Sequence, residues 1–504
     1  MTVAYWGAFG LTLFNDGIFW DDWVLYRTDH ATIMRQMGQV GMPWIGYYNI
    51  LLSALGGALA CRAVVFLGYF FSGLFLYGVL KTIKLIGIRE RFFIALFFML
   101  FPVNFSRMAQ STSHYVVCYF LFFMGFFILS RYLMSKKRIM RVLALSSFFF
   151  SFFSLPSLVL FYGLVILYIA YARRCDIKTI NSFATFALKY LDFLMAPVVY
   201  WVLKNIFFRP YGIYAGYNKF NAGDLVAAFS RFIEAFDASF LAPLRETFLF
   251  LNAHALGVII PALLVSLWVG KACFKGENDV KTRDFLALVF GFLIFSVSIY
   301  SYLVVNKMPY SGDWHGRFQV LVPLGASLMI VSLVRIIFHR HVRTLVYSLL
   351  AVSFIGTNFV GYLDYQKDWF KQLSLIENFK GSAILKNNTS FIFNDKAYKL
   401  NARNRTYRSY EYTGLMMTAF GDERRFGTLY RSDFEGVVEQ YIRVSSYHCR
   451  EFDMRPPQYE VVIDEGPYHL NVTHTMKLLG LKLVHSPRFE DKVKDIIRLE
   501  YVKL

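Results

Sequence analysis

Apolar runs long enough to cross a lipid bilayer recur along residues 1–362, and they limit the possible folds more than any other feature of the chain. Inside hydrocarbon no water serves a backbone N–H or C=O, so each run must close its hydrogen bonds within one helix of about 20 residues. The pattern predicts eleven spans, near 1–14, 63–80, 92–103, 115–130, 142–155, 157–172, 186–208, 249–270, 285–305, 319–337 and 344–362. With 56% hydrophobic residues and a mean hydropathy of +0.43, the chain is more apolar than a soluble core of its size requires. It reads as a polytopic membrane protein. The stretch 44–60 suits an interfacial helix as well as a span, because Trp44, Tyr47 and Tyr48 favour the headgroup level and glycines stand at 46, 56 and 57.

Charge bias decides that ambiguity. Loops 81–91, 131–141, 173–189, 271–283 and 335–343 hold 20 Lys+Arg in 61 residues, whereas loops 15–62, 104–115, 209–248 and 306–318 hold 10 in 113. The basic set is expected in the cytoplasm, which puts the N-terminus inside and the C-terminus outside, and makes 44–60 interfacial. The same loops absorb most of the net charge of +19, and the tail from residue 363 carries 22 basic and 19 acidic residues. Without a basic patch to track a polyanion, nucleic-acid binding is excluded as a reading. The five cysteines, at 61, 118, 175, 273 and 449, have no spacing that implies a disulfide framework or a thiolate metal site.

After Tyr362 the sequence turns polar and gains turn residues. The expected architecture is an all-α polytopic membrane domain over 1–362 and a small external α+β domain over 363–504. Strands are expected at Ser390–Phe393, Tyr459–Ile463 and Leu481–Val484, and helices at Asp433–Val444 and Thr473–Leu479. Lys189 and Asp192, three apart at the inner end of a span, are expected to pair with each other.

The polar residues that the membrane pattern does not explain all fall in loops on the expected outer side. They are Asp21 and Asp22 within Phe19-Trp20-Asp21-Asp22-Trp23, Arg107 and His114 in the next outer loop, and Tyr310, Asp313, His315 and Arg317 in the last. Adjacent carboxylates between tryptophans at a membrane surface are candidates for acid–base chemistry, although either could instead cap a helix or pair with Arg27 or Arg35. Arg317 offers a planar donor fork suited to phosphate, with His315 beside it; snorkelling to the interface is its structural alternative. The aromatic residues Trp20, Trp23, Trp44, Trp314 and Tyr310 could stack on sugar rings or form an interfacial belt.

A first span followed by an external Trp-Asp-Asp-Trp, an interfacial helix from about Asp29 to Val40, many further spans and an external C-terminal domain resembles the GT-C class of integral membrane glycosyltransferases. The resemblance implies transfer of a sugar from a polyprenyl-phosphate carrier to a glycan, lipid or protein acceptor, with inversion, in the bacterial plasma membrane. It makes Asp21 or Asp22 the general base, with Asp22 preferred, and assigns Arg317, His315 and Arg107 to the donor phosphate. Asp313, His114, Trp23 and Tyr310 are then expected at the acceptor and sugar. Some members of the class use a divalent metal such as Mg or Mn, and no ligand set here specifies one. A polysaccharide polymerase or ligase of the O-antigen type usually carries a large external loop between spans. A flippase or transporter is expected to have polar residues near mid-bilayer. Both stand as alternatives, although this chain puts its bulk after the last span and its unexplained polar groups in the outer loops.

Overall fold

The computed structural model describes the chain except for residues 84–85, 174–179, 217–221, 274–280, 313, 430–433 and 446–450, so Asp313 and Cys449 lie outside the described residues. The molecule is mostly helical, with one small sheet. Among the described residues four helices, Ala58–Leu80, Gln110–Ser135, Arg283–Leu303 and Arg340–Lys380, are long and apolar enough to cross a membrane. Two bent pairs raise the total to six if each is one span: Asn181–Lys189 with Leu191–Phe207 at 64°, and Phe232–Ala253 with Ala255–Leu267 at 100°. Other runs expected to span are shorter helices. Ile88–Leu100 has 13 residues, Arg138–Ser151 has 14, and Leu158–Arg173 and Val322–Ile337 have 16 each. The first run is an eight-residue helix, Thr2–Phe9, that tightens into a 3₁₀ turn over Gly10–Phe14.

The helix His30–Gln39 starts where the sequence places an interfacial helix, because the Asp29 carboxylate accepts the Thr32 N–H at 2.8 Å and caps its first turn. The stretch 44–60 is not one element. The helix Pro43–Ala54 ends before Gly56 and Gly57, whose φ angles of +121° and +59° turn the chain into Ala58–Leu80. At the other end of the molecule Asp192 pairs with Arg141 at 2.6 Å rather than with Lys189, whose carbonyl accepts from the same guanidinium at 2.8 Å. A bidentate arginine fork on a neighbouring helix outcompetes a lysine on the same chain segment.

The last span does not stop at 362. With no glycine or proline between 362 and 380, one helix of 41 residues, Arg340–Lys380, passes through the expected boundary between the two parts. Beyond it lie β1 (Ser390–Asp395), β2 (Phe426–Thr428), β3 (Tyr459–Glu465) and β4 (Ile497–Lys503), in the order β2-β1-β3-β4. β1 is parallel to both neighbours, and β4 closes the sheet antiparallel to β3. The strand expected at Leu481–Val484 is instead the end of the helix Val472–Leu483, whose Thr475, Leu478 and Leu479 form one buried stripe; the C-terminal Ile497–Lys503 takes the edge position.

The long helix joins this sheet through buried charges. Arg405 bridges Asp368 at 3.1 Å and Glu411 at 2.7 Å with all three side chains fully enclosed, and Lys371 donates to Asp395 and Asn401, each at 2.6 Å. Tyr407 adds a hydrogen bond to Asp368 at 2.5 Å. Nearly every polar atom there has a partner, the condition under which buried ions hold elements in fixed register rather than loosening them.

Candidate functional site

Trp20 sits at φ +49°, a conformation that a bulky side chain adopts only under constraint. The constraint comes from three directions. Its ring packs against Trp314 (centroids 5.4 Å apart) and Tyr365 (5.8 Å), and the Arg405 guanidinium lies 4.9 Å from it. The next residues begin a single helical turn, Asp22–Leu25, so Asp21 and Asp22 leave the backbone in different directions.

The two acids consequently differ in role. Asp22 is buried and caps another helix: its carboxylate accepts the backbone N–H groups of Gln110 (2.7 Å) and Ser111 (2.8 Å) and the Ser111 hydroxyl (2.7 Å). Those amides open the helix Gln110–Ser135, whose own cap residue, Ala109, offers no side-chain acceptor. Burial pushes Asp22 up to about 6, with the Ser111 and Gln110 donors pulling the other way. Asp21 instead lines a cavity of about 410 Å³. Its Oδ1 accepts the Tyr410 hydroxyl at 3.0 Å, and burial raises its pKa against the opposing pull of Arg317, Tyr410 and Arg408. The geometry thus commits Asp22 to a helix terminus and sets Asp21 at the cavity.

Arg317, Lys204, Lys307, His114 and Tyr115 line the same cavity. Arg317 belongs to the 3₁₀ segment Trp314–Gln319, and its guanidinium is held 4.4 Å from both the Trp314 and Phe318 rings while Nη1 donates to the Trp314 carbonyl at 3.0 Å. Three residues per turn put Trp314 and Arg317 on one face. His315, one position round, is exposed against the Phe318 edge and does not line the cavity. His114 is buried between Trp44 and Tyr115, and its Nδ1 has no partner among the described residues. Gln319 fixes this loop by donating to Ser311 Oγ and Ala238 O, both at 3.2 Å, and accepting the Asn104 N–H at 3.3 Å.

Three other sequence candidates lie elsewhere. Arg107 does not meet Arg317: Asn104, at φ +56°, turns the chain so that Arg107 enters a cage of Phe9, Tyr69 and Tyr362, with Nε donating to the Tyr362 hydroxyl at 2.6 Å. Trp23 is buried against Gly414, where a Cβ would come within 2.4 Å of its ring, so it anchors the loop instead of facing the cavity. Tyr310 is 54% exposed and outside the cavity wall. Conversely, Lys204, Lys307 and Tyr410 were not singled out by the sequence. Lys204 ends an apolar helix and reads as a snorkelling residue, and Tyr410 lies 389 positions from the carboxylate it touches.

Lys204 also lines a second space of about 370 Å³, walled by Trp44, Phe149, Phe153, Tyr200, Phe207 and Phe208. The first carries Asp21, Arg317 and Lys307 among apolar residues, and the second has Lys204 as its one charged lining residue among those described. Among the described residues no group of His, Cys, Asp or Glu has the arrangement of a metal site. No family model, curated protein or solved structure matches this chain, and the chemistry of the site has to be read from the cavity itself.

Proposed function

We propose that the protein is a membrane glycosyltransferase that moves a sugar from a polyprenyl-phosphate carrier to a cell-envelope acceptor. The observation that carries this reading is that Asp21, Arg317, Lys204 and Lys307 line one cavity, and that Lys204 also lines a neighbouring apolar space. A lipid-linked sugar phosphate has the matching parts: a greasy chain, an anionic phosphate and a polar sugar. The chain would lie along Trp44, Phe153 and Phe208, the phosphate near Lys204, Lys307 and Arg317, and the sugar between the phosphate and Asp21.

In this reading Asp21 removes the proton from an acceptor hydroxyl as its oxygen attacks the anomeric carbon. The bond from that carbon to the phosphate oxygen breaks, and the charge that grows on the leaving phosphate is met by cations already in place. Attack from the side opposite the phosphate inverts the anomeric centre. Asp22 contributes by fixing the end of the helix that carries Ser111, His114 and Tyr115. The charge bias of the loops supports a site on the external face, where nucleotide sugars are not available.

Undecaprenyl phosphate, the carrier without its sugar, is the direct probe. Protein in lipid nanodiscs should retain it in native mass spectrometry more strongly than the uncharged undecaprenol, and Arg317→Ala should remove most of that difference. Equal retention of the phosphate and the alcohol by the unaltered protein would reject a phosphate-bearing lipid as the ligand.

A further inference from the structure

The helix that runs from Phe232 to Ala253 is irregular, and the irregularity touches the segment that carries Arg317. Over Asp237–Leu241 it widens into a π turn, in which Ala242 gives its N–H to the Asp237 carbonyl instead of to Ala238. The next backbone donor that a wider turn would bring to Ala238 is at position 243, a proline, which has no N–H. The Ala238 carbonyl therefore turns to partners outside its own helix.

Gln319 is one of them. It is fully buried, and its Nε2 lies 3.2 Å from Ala238 O, 3.2 Å from Ser311 Oγ and 3.3 Å from Ser239 Oγ, while Oε1 accepts the Asn104 N–H at 3.3 Å. A carbonyl only accepts and a backbone N–H only donates, so the amide has one orientation here. The π turn is itself anchored, because the Phe240 ring packs 5.6 Å from Phe295 on the helix Arg283–Leu303 and 6.2 Å from Phe101. Gln319 ends the 3₁₀ segment Trp314–Gln319, and at three residues per turn it stands about 120° round the axis from Arg317. One side of the segment is fastened to the π turn, and another presents Arg317 to the cavity, which Gln319 does not line.

We infer that Gln319 is a positioning residue: clamped at the π turn, it sets where the Arg317 guanidinium stands when it meets a phosphate. The inference rests on the reading of Arg317 as a ligand of the donor phosphate. The Trp314 and Phe318 rings that hold the guanidinium belong to the same segment, so the seating of that segment decides where the charge lies.

The test uses the purified full-length protein in lipid nanodiscs, with undecaprenyl phosphate and undecaprenol as probes. Gln319→Met keeps the length of the side chain and removes its polar atoms; the backbone amides of Trp314–Gln319 should then exchange with deuterium about tenfold faster or more. Preference for the phosphate over the alcohol should fall by about fivefold or more, the effect of a cation slightly out of place. Adding Arg317→Ala should bring no loss beyond that of Arg317→Ala alone, because two residues acting through one charge are not additive. Ser239→Ala, a milder change, should move exchange and preference in the same directions by less. Unchanged exchange in Gln319→Met, or losses that add independently with Arg317→Ala, would overturn the assignment. A phosphate preference kept in Gln319→Met rejects this inference alone, whereas equal retention of phosphate and alcohol by the unaltered protein rejects the donor reading and the inference with it.

Discussion

The junction between the long helix and the sheet domain holds its charges differently from the cavity a short distance away. At the junction Arg405 has two carboxylates, Lys371 has one together with Asn401, and all of these side chains are at most 5% exposed. On the cavity wall one carboxylate, Asp21, stands among Arg317, Lys204 and Lys307, and Arg317 is held by aromatic rings and a carbonyl without an ion pair among the described residues. Paired charges at the junction fix one element on another. Aromatic rings orient the Arg317 guanidinium without neutralising it, which suits it to meet an anionic ligand.

Breaking each region separately sharpens that contrast. Asp21→Asn should lower sugar transfer by about 10²–10⁴ while the melting temperature stays close to that of the unaltered protein. Asp22→Asn should leave transfer within about tenfold; an equal collapse of both variants would end the division of roles. Arg405→Ala leaves Asp368 and Glu411 buried without their cation, and a loss of about 3–5 kcal/mol in unfolding free energy is expected from calorimetry or denaturant melts. Arg317→Ala should raise KM for the lipid donor by about tenfold or more with a smaller change for the acceptor, since it removes a charged donor to phosphate. A melt unaffected by Arg405→Ala, or one strongly affected by Arg317→Ala, would assign the two regions the reverse of these roles.

The smaller effects concern protons. A general base works ionised, so the rate should climb with pH through the value of Asp21, above the usual carboxylate range because burial dominates there. Tyr410→Phe removes a hydrogen bond that favours the carboxylate, and should move that acidic limb to still higher pH while slowing transfer only a few-fold. Asp22 has a folded-state value of about 6 against an ordinary 3.8, so between these the folded protein holds the extra proton. Its contribution to stability is present below about 4 and is lost as pH rises through about 6. Melting curves across that window should lose this slope in Asp22→Asn.

Legibility from sequence followed the range of the interaction. The helix after Asp29, the strands at Ser390 and Tyr459 and the helices near 434 and 472 announce themselves through caps and periodicity within a few residues. Leu481–Val484 misled because a short apolar run fits a helix end as well as a strand, and only the competing edge strand Ile497–Lys503 settles which it is. The break at Gly56 and Gly57 was visible as composition, whereas the continuity of the long helix past 362 required noticing that nothing in the following residues stops a helix.

What the sequence determined on its own was the membrane class, the clustering of unexplained polar residues in one set of loops, and the presence of an acid and an arginine near opposite ends of the membrane part. Those depend on hydropathy and charge, which add along the chain. Only the tertiary structure decided that Asp21 rather than Asp22 faces the cavity, that Arg107 turns away into an aromatic cage, and that Tyr410 and Lys204 join the site. Each of these follows from the direction of a side chain and from contacts between residues tens to hundreds of positions apart, which no local pattern encodes.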